Sequence, residues 1–234
     1  MSALSLNITD ELVSFLSHIK NRREFNDLRT AGSEYSLAGF DRLKCIYVHI
    51  PKSAGVSVNK SLFGNMGGGH KTAVQYRKIF GPYTFHKYFK FTFVRNPYSR
   101  LLSAYLFLKK GGMNRNNQKW AEENLSPYST FQEFVEGWIN PENVLTYYHF
   151  LPQYHFLCDD RQNLLIDYIG KVENIRKDFE NICQKLGIEK KLLSLNQTSG
   201  AIDWKSYYDD QTLEIVARVY KCDFDLFNYS TELS

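Results

Sequence analysis

Short apolar runs alternate along the chain with longer segments in which apolar residues recur every three or four positions. The short runs predict three strands, at residues 45–50, 89–94 and 164–169, because they are rich in β-branched and aromatic side chains. Strands that alternate with helices indicate an α/β fold, with a central, mainly parallel sheet between layers of helices. Pro97 and Thr130 mark the starts of two helices. The periodic segments that predict helices lie at residues 9–20, 55–63, 71–80, 98–110, 130–138, 174–186 and 209–220.

Polar stretches between these elements predict loops. Residues 21–41 are polar and basic, which is typical of a linker or a surface loop, and residues 115–129 are predicted to form a mobile loop. The chain is therefore predicted to consist of an N-terminal helical extension, residues 1–24, followed by one domain, residues 25–234.

Composition limits the class of protein. With 234 residues, of which 43% are hydrophobic, the chain is long enough to bury a sizeable core. The formal net charge of +4 suits an anionic cofactor but is too small to indicate a nucleic-acid-binding protein. The four cysteines are far apart and form no CxxC pair, so we expect neither a metal site nor a redox motif.

The distribution of apolar residues predicts no membrane span, because no apolar run reaches about 18 residues, the length that a spanning helix needs. The first twenty residues lack the basic start and the continuous apolar core of a signal peptide. A cytoplasmic protein is therefore expected.

The segment Pro51–Ser57 joins the first predicted strand to a helix, which is how α/β proteins hold phosphate. The helix N-terminus supplies backbone N–H groups and the positive end of the helix dipole. Lys52 adds a positive charge, and the hydroxyls of Ser53 and Ser57 add donors. The Walker A pattern GxxxxGK[ST] is absent, which weakens a kinase interpretation. An ordinary βα turn is the alternative.

A second candidate phosphate segment begins at Arg95, which leaves the second predicted strand at its carboxyl end, where ligands bind in open α/β sheets. Its guanidinium fits a phosphate bidentately. In the helix that follows, Leu101, Tyr105 and Leu108 share one face. Ser103 lies about 200° round the helix from Leu101 and so faces away from that stripe. Arg95 and Ser103 are thus candidates for one phosphate; a structural ion pair and a filler serine are the alternative.

These segments resemble known signatures. Residues 50–57 and 91–105 resemble the 5′-phosphosulfate and 3′-phosphate signatures of sulfotransferases that use 3′-phosphoadenosine-5′-phosphosulfate (PAPS), especially the carbohydrate-type family 2 group. The likeness continues at residues 151–157, 167–174 and 223–229. The resemblance implies a P-loop-like, three-layer α/β/α domain that transfers a sulfuryl group from PAPS to an acceptor hydroxyl, leaving adenosine 3′,5′-bisphosphate.

The resemblance also implies roles for single residues. Lys52 is expected to stabilise the leaving 5′-phosphate, and Arg95 with Ser103 to hold the 3′-phosphate. Residues 196–205 stand where sulfotransferases often have a loop that closes over the nucleotide, so Lys205 is a candidate cofactor contact. It is a weaker candidate than Arg95, because the arginine-lysine-glycine form of that loop is missing. No metal is required by this scheme. The backbone amides expected to hold the 5′-phosphosulfate, with Lys52, are those of Ser53, Ala54, Gly55, Val56 and Ser57.

An alcohol nucleophile needs a general base, and histidine is the usual one at neutral pH. Of the six histidines, His70 is favoured, because it follows three flexible glycines and family 2 members typically carry a histidine between the two phosphate segments. His49 is the second candidate, although its strand position favours packing. His155 belongs to the matching segment 151–157 and is interpreted as structural or substrate-lining.

The acceptor is the least determined part of the prediction. The family type favours a carbohydrate, and the aromatic residues Trp120 and 147–150 are candidates to line its cleft. A lipid or another small natural product is the alternative acceptor. A small-molecule kinase and a non-catalytic nucleotide-binding relative are the less favoured alternatives to a sulfotransferase.

Overall fold

The chain folds as an α/β protein with a small parallel sheet. The computed structural model describes residues 3–30, 32–194 and 203–232, and the side chains of residues 3–9 lie outside that description. Over the described residues there are three strands and 13 α-helices. This confirms the predicted fold class, while the three-layer, P-loop-like arrangement stays a prediction. Among the same residues, no helix is long and apolar enough to cross a membrane.

The elements are numbered in chain order. The strands are β1 (Cys45–Val48), β2 (Phe89–Val94) and β3 (Tyr168–Lys171). The helices are α1 (Ala3–Lys20), α2 (Arg22–Thr30), α3 (Ala38–Leu43), α4 (Gly55–Phe63), α5 (Ala73–Phe80), α6 (Pro82–Lys87), α7 (Pro97–Lys109), α8 (Arg115–Asn124), α9 (Phe131–Trp138), α10 (Tyr154–Leu157), α11 (Ile175–Leu186), α12 (Asp210–Val219) and α13 (Lys221–Phe227).

The described residues divide into two compact units. Unit 1 takes in the described residues of 1–50, 54–93 and 155–196, and unit 2 takes in those of 51–53, 94–154 and 197–234. Each unit is thus assembled from three separate stretches of chain. The predicted boundary between a helical extension and a domain, at residues 24 and 25, stays a prediction.

The sheet belongs almost wholly to unit 1. Its strand order is β1-β2-β3, and β1 runs parallel to β2 in a register that pairs Cys45 with Phe89 and Val48 with Thr92. The hydroxyl of Thr92 donates to Val48 O at 2.8 Å, which adds a side-chain bond to the ladder. All four residues of β1 are buried, as expected for a strand covered on both faces. Both candidate phosphate segments begin within three residues of the carboxyl ends of β1 and β2.

Aromatic packing forms the core of unit 2. Tyr98 on α7 contacts Tyr208 and Phe224, with ring centroids 5.1 and 4.9 Å apart. Phe134 on α9 packs against Phe150 at 5.3 Å. Such buried rings supply a large apolar area each. The core therefore packs around α7, the helix of the second candidate phosphate segment.

The polar stretch 21–41 is not a loop, so that prediction is wrong. It contains α2 and α3, and the Leu37 N–H donates to Leu28 O at 2.8 Å. Arg29 on α2 also donates two hydrogen bonds to the Asp41 carboxylate on α3, at 2.7 and 2.8 Å. Both contacts join residues that are distant in sequence, so no local pattern reveals them.

Residues 115–129 contain a helix, α8, where the sequence predicts a mobile loop. The Asn114 side chain caps it by accepting the Asn117 N–H at 2.9 Å. The Trp120 ring stacks on Tyr147 with centroids 4.1 Å apart and planes inclined by 6°. Tertiary contacts therefore stabilise a helix that has only two apolar residues, Trp120 and Ala121.

Two further differences concern element positions. The third strand spans Tyr168–Lys171 and not 164–169, because Leu164 forms an isolated antiparallel bridge with Cys158 instead. Helices α6, α10 and α13 lie where the sequence predicts no helix. The other predicted helices are present, and Thr130 caps α9 through a capping box with Glu133.

Candidate active site

Lys52 occupies a strained and partly buried position in unit 2. Its backbone is left-handed, with φ of 67°, which is costly for a residue with a side chain. Its ammonium lies 3.9 Å from the centroid of the Phe107 ring on α7, a cation–π contact. Burial, and then the positive charge of Arg95, lower the pKa of Lys52 to about 8. Two cations are therefore held close enough to repel each other.

Arg95 follows the last residue of β2 and is directed along α7. Its Nε donates to the Ser99 hydroxyl at 2.9 Å, and its Nη1 donates to Lys52 O at 3.3 Å. Ser99 and Ser103 are four residues apart on α7 and so share one face, with Cβ atoms about 5–6 Å apart. The structure thus brings Arg95 and Lys52 together and points the guanidinium at the helix face that carries Ser103.

The face of α7 that carries Ser103 agrees with the sequence prediction. Leu101, Tyr105 and Leu108 are buried in the core, with at most 4% of their surface exposed, whereas Ser103 is half-buried. Asn96 caps the helix by accepting the N–H groups of Tyr98 and Ser99, and Pro97 begins it.

Arg100, one turn into α7, is a buried residue of unit 2. It donates to Pro51 O at 3.1 Å, to Leu151 O at 2.9 Å and to His149 O at 3.3 Å. Arg100 therefore fixes Pro51, the first residue of the Pro51–Ser57 segment, through the Pro51 carbonyl. A buried cation bonded to backbone carbonyls is a structural clamp.

Gln153 makes further polar contacts with Arg95. Its side-chain Oε1 accepts the Arg95 N–H at 2.9 Å and the Ser53 hydroxyl at 3.4 Å. Its Nε2 donates to Arg95 O at 2.8 Å. Gln153 is not among the site residues that the sequence predicts. The one signal that could have found it is its place in the segment 151–157, which resembles the family.

In unit 1, the remainder of the first segment forms the start of α4. Ala54 is the N-cap residue, with a left-handed φ of 61° and no side-chain cap. The first-turn amides of α4 therefore lie at the positive end of a nine-residue helix. Val56 is half-buried and Ser57 is buried.

Gly55 allows a close approach between α4 and the residue that follows β1. A Cβ atom at Gly55 would lie 1.7 Å from Cδ2 of His49 and 1.8 Å from its Nε2. His49 is only 4% exposed, and its Nδ1 lies 3.4 Å from the Asn59 amide nitrogen. The His49 ring thus packs directly against the first residue of the helix.

His70 lies beside His49 in unit 1. Its Nδ1 is 3.0 Å from His49 O, and the two ring centroids are 4.3 Å apart. A carbonyl oxygen only accepts hydrogen bonds, so this contact assigns the proton of a neutral His70 to Nδ1. The basic lone pair then resides on Nε2 of a half-buried ring.

The remaining candidates are His155, Trp120 and Lys205. Burial lowers the pKa of His155. Trp120 uses one face to stack on Tyr147, so part of the aromatic surface predicted to line an acceptor cleft packs internally. Residues 196–202 of the predicted closing loop lie outside the described residues, and Lys205 lies in a 3-10 turn capped by Asp203.

Strand–loop–helix units with a cation in the loop are typical of α/β proteins that bind phosphorylated ligands. The model of the sulfotransferase family matches residues 37–230, so this chain belongs to the sulfotransferase family. The family membership confirms the predicted class of enzyme, a sulfotransferase.

Several proteins are similar to parts of the chain. An uncharacterized protein of Archaeoglobus fulgidus is 30% identical over 119 residues, which are 50% of this chain and 82% of that protein. Carbohydrate sulfotransferase 14 of mouse and of human is 27% identical over 170 residues, 62% of this chain and 44% of each relative. The match thus spans less than half the length of the mammalian relatives. No solved structure matched the chain.

Proposed function

We propose that this protein transfers a sulfuryl group from PAPS to a hydroxyl of a carbohydrate, by in-line displacement with His70 as general base. The observation that carries the donor assignment is the proximity of Lys52 and Arg95, whose Nη1 donates to Lys52 O at 3.3 Å. Burial, and then the positive charge of Arg95, lower the pKa of Lys52. Such a pair is stabilised by a ligand with several negative charges. PAPS carries a phosphosulfate and a separate 3′-phosphate, and these groups supply the negative charges.

The two segments bind different ends of the donor. Lys52 binds the 5′-phosphosulfate and neutralises the charge that develops on the leaving phosphate oxygen. Arg95 and Ser103 bind the 3′-phosphate, which agrees with the direction of the guanidinium along α7. The backbone amides that bind the 5′-phosphosulfate with Lys52 are those of Ser53, Ala54, Gly55, Val56 and Ser57.

The reaction forms one sulfur–oxygen bond and breaks another. The acceptor oxygen attacks sulfur on the side opposite the bridging oxygen, and the bond between sulfur and that bridging oxygen breaks. The bonding electrons leave with the 5′-phosphate, which gives adenosine 3′,5′-bisphosphate. By analogy with phosphoryl transfer, positioning and cationic stabilisation supply most of the rate enhancement.

His70 takes the proton from the attacking hydroxyl. The contact between its Nδ1 and His49 O supports this role, because it favours the tautomer with the lone pair on Nε2. The carbohydrate acceptor is supported by the printed name of the mammalian relatives, carbohydrate sulfotransferase 14. The cytoplasmic location stays a prediction.

The experiment that tests this function uses ³⁵S-labelled PAPS with a panel of oligosaccharides, lipids and small alcohols. We expect label to pass to oligosaccharides and adenosine 3′,5′-bisphosphate to form in equal amount. Label on lipids alone would overturn the carbohydrate assignment. PAPS binding without transfer to any acceptor would favour a non-catalytic relative, and magnesium-dependent ATP turnover would favour a kinase.

The same assay tests the base through His70→Asn, whose amide can still donate to His49 O. We expect turnover to fall about 100-fold or more, the usual contribution of a general base, with unchanged affinity for adenosine 3′,5′-bisphosphate. His86→Asn is the matched control, because His86 is an exposed histidine of the same unit. Turnover of His70→Asn at the control level would remove His70 from the mechanism.

A further inference from the structure

We infer that Gln153 is a positioning residue, whose buried amide sets the direction in which Arg95 reaches the 3′-phosphate. The inference rests on the proposed use of PAPS, because Arg95 is taken as the 3′-phosphate ligand. Gln153 itself is fully buried, so it acts through Arg95 and Ser53.

The geometry gives Gln153 control over the backbone of Arg95. Arg95 is the first residue after β2, and a single side-chain amide bonds both its N–H and its C=O, at 2.9 and 2.8 Å. Two bonds from one planar group fix the orientation of that residue as well as its position. The weaker third contact, 3.4 Å to the Ser53 hydroxyl, joins the same amide to the first phosphate segment.

Gln153 is in turn held by buried charges of unit 2. Its backbone N–H donates to Asp223 Oδ2 at 2.8 Å, and the Tyr154 N–H donates to Asp223 Oδ1 at 2.9 Å. Arg100 bonds the carbonyl of Leu151 at 2.9 Å, two residues earlier. Asp223 and Arg100 are both buried. Buried polar groups are costly unless every partner is in place, so this network allows one arrangement of the Gln153 backbone.

Position 153 requires an amide side chain, because the Arg95 N–H needs an acceptor and the Arg95 C=O needs a donor at the same place. Glutamate has nearly the same shape, but its carboxylate has two acceptors and would face Arg95 O where Nε2 now donates. Gln153→Glu therefore loses the hydrogen bond to Arg95 O and gains a repulsion against that carbonyl and against the Asp223 carboxylate, which the Gln153 side chain also contacts. The change disturbs Arg95 without removing any group proposed to touch the nucleotide.

The test compares two ligands that differ only in the 3′-phosphate. Calorimetry gives Kd for adenosine 5′-monophosphate and for adenosine 3′,5′-bisphosphate. The Kd of the monophosphate divided by the Kd of the bisphosphate measures the contribution of the 3′-phosphate. We expect Gln153→Glu to reduce this ratio about tenfold, the size of one charge-assisted hydrogen bond, while the affinity for the monophosphate changes little. Gln211→Glu, the same change at an exposed position of α12, should leave the ratio unchanged.

Two other results would overturn the inference. Equal weakening of both ligands, with a lower melting temperature, would mean that Gln153 serves the fold alone. An unchanged ratio would mean that binding of the 3′-phosphate by Arg95 does not depend on the Gln153 side chain. If the wild-type protein shows no preference for the bisphosphate, the proposed use of PAPS is wrong. That result comes from the wild-type protein alone and does not depend on the variants.

A second variant keeps the test valid if Gln153→Glu does not fold. Gln153→Met has a similar length and no charge, and removes the side-chain hydrogen bonds to Arg95 and Ser53. The same fall in the ratio is expected. In an Arg95→Lys background, where the guanidinium fork is already lost, Gln153→Met should reduce the ratio no further. A full additional loss in that background would contradict positioning through Arg95.

Discussion

Lys52 illustrates how burial and a neighbouring charge set the chemistry of one side chain. Burial is the larger cause and the Arg95 charge the smaller, and together they lower its pKa to about 8. The ammonium form therefore predominates at neutral pH and is lost as pH rises through 8. A bound anion would favour the charged form and raise that pKa.

The affinity for adenosine 3′,5′-bisphosphate should therefore depend on the protonation of Lys52. We expect Kd to rise roughly tenfold between pH 7 and pH 9, because an increasing fraction of Lys52 must be protonated before the anion binds. Lys52→Arg should flatten this profile, since arginine stays charged throughout. Calorimetry at several pH values measures both. The control, Lys119→Arg at an exposed position, should retain the wild-type slope.

A pH profile that persists in Lys52→Arg would assign the dependence to another group. A flat profile in the wild-type protein would mean that the Lys52 charge does not contribute to binding. Arg95 makes no competing contribution in this range, because a guanidinium does not lose its proton below about pH 12.

At the scale of elements, the contact between the end of β1 and the start of α4 depends on one missing side chain. Gly55 is the first residue of α4, and the His49 ring occupies the space that a Cβ would need. Inside a helix, alanine is ordinarily more favourable than glycine by about 1 kcal/mol. At position 55, the overlap between an added Cβ and the His49 ring opposes this preference for alanine.

We expect Gly55→Ala to lower the free energy of unfolding by about 1–3 kcal/mol, the usual cost of overpacking, despite the better helix propensity. The double variant with His49→Ala should be less destabilised than the sum of the two single changes, because the clash is then absent. Urea denaturation measures all three. Gly32→Ala, where a Cβ meets nothing within 4 Å, is the control. Strict additivity would contradict the steric explanation.

Some elements follow from local sequence and others do not. Helices α7 and α9 have start signals, Pro97 and Thr130, that lie within the local sequence, and the sequence predicts α4, α7 and α9 within one residue at each end. Helices α2 and α8 were not predicted. Their stabilising contacts involve Asp41 and Tyr147, which a periodicity pattern does not include.

At the scale of the whole molecule, ligand binding should raise thermal stability by mass action. At about 100 times Kd, adenosine 3′,5′-bisphosphate contributes ~2.7 kcal/mol, which corresponds to a rise in Tm of roughly 5–10 °C for a chain of this length. Adenosine 5′-monophosphate at the same concentration should raise Tm less. Differential scanning calorimetry measures both shifts.

Arg95→Lys supplies the comparison for that measurement. It keeps the charge but loses the bidentate fork, so the difference between the two nucleotides should shrink. Equal Tm shifts for both nucleotides in the wild-type protein would contradict a specific 3′-phosphate site. A difference that survives in Arg95→Lys would assign the 3′-phosphate to another residue.

The sequence alone determined the α/β class, the family resemblance and the faces of α7. These depend on residue type and spacing within a few turns, which fix local geometry. Only the tertiary structure decided which polar groups meet: Gln153 with Arg95, 58 residues apart, and His70 with His49, 21 residues apart. Such contacts depend on the packing of whole elements, because hydrogen-bond partners are selected by distance in space and not by order along the chain.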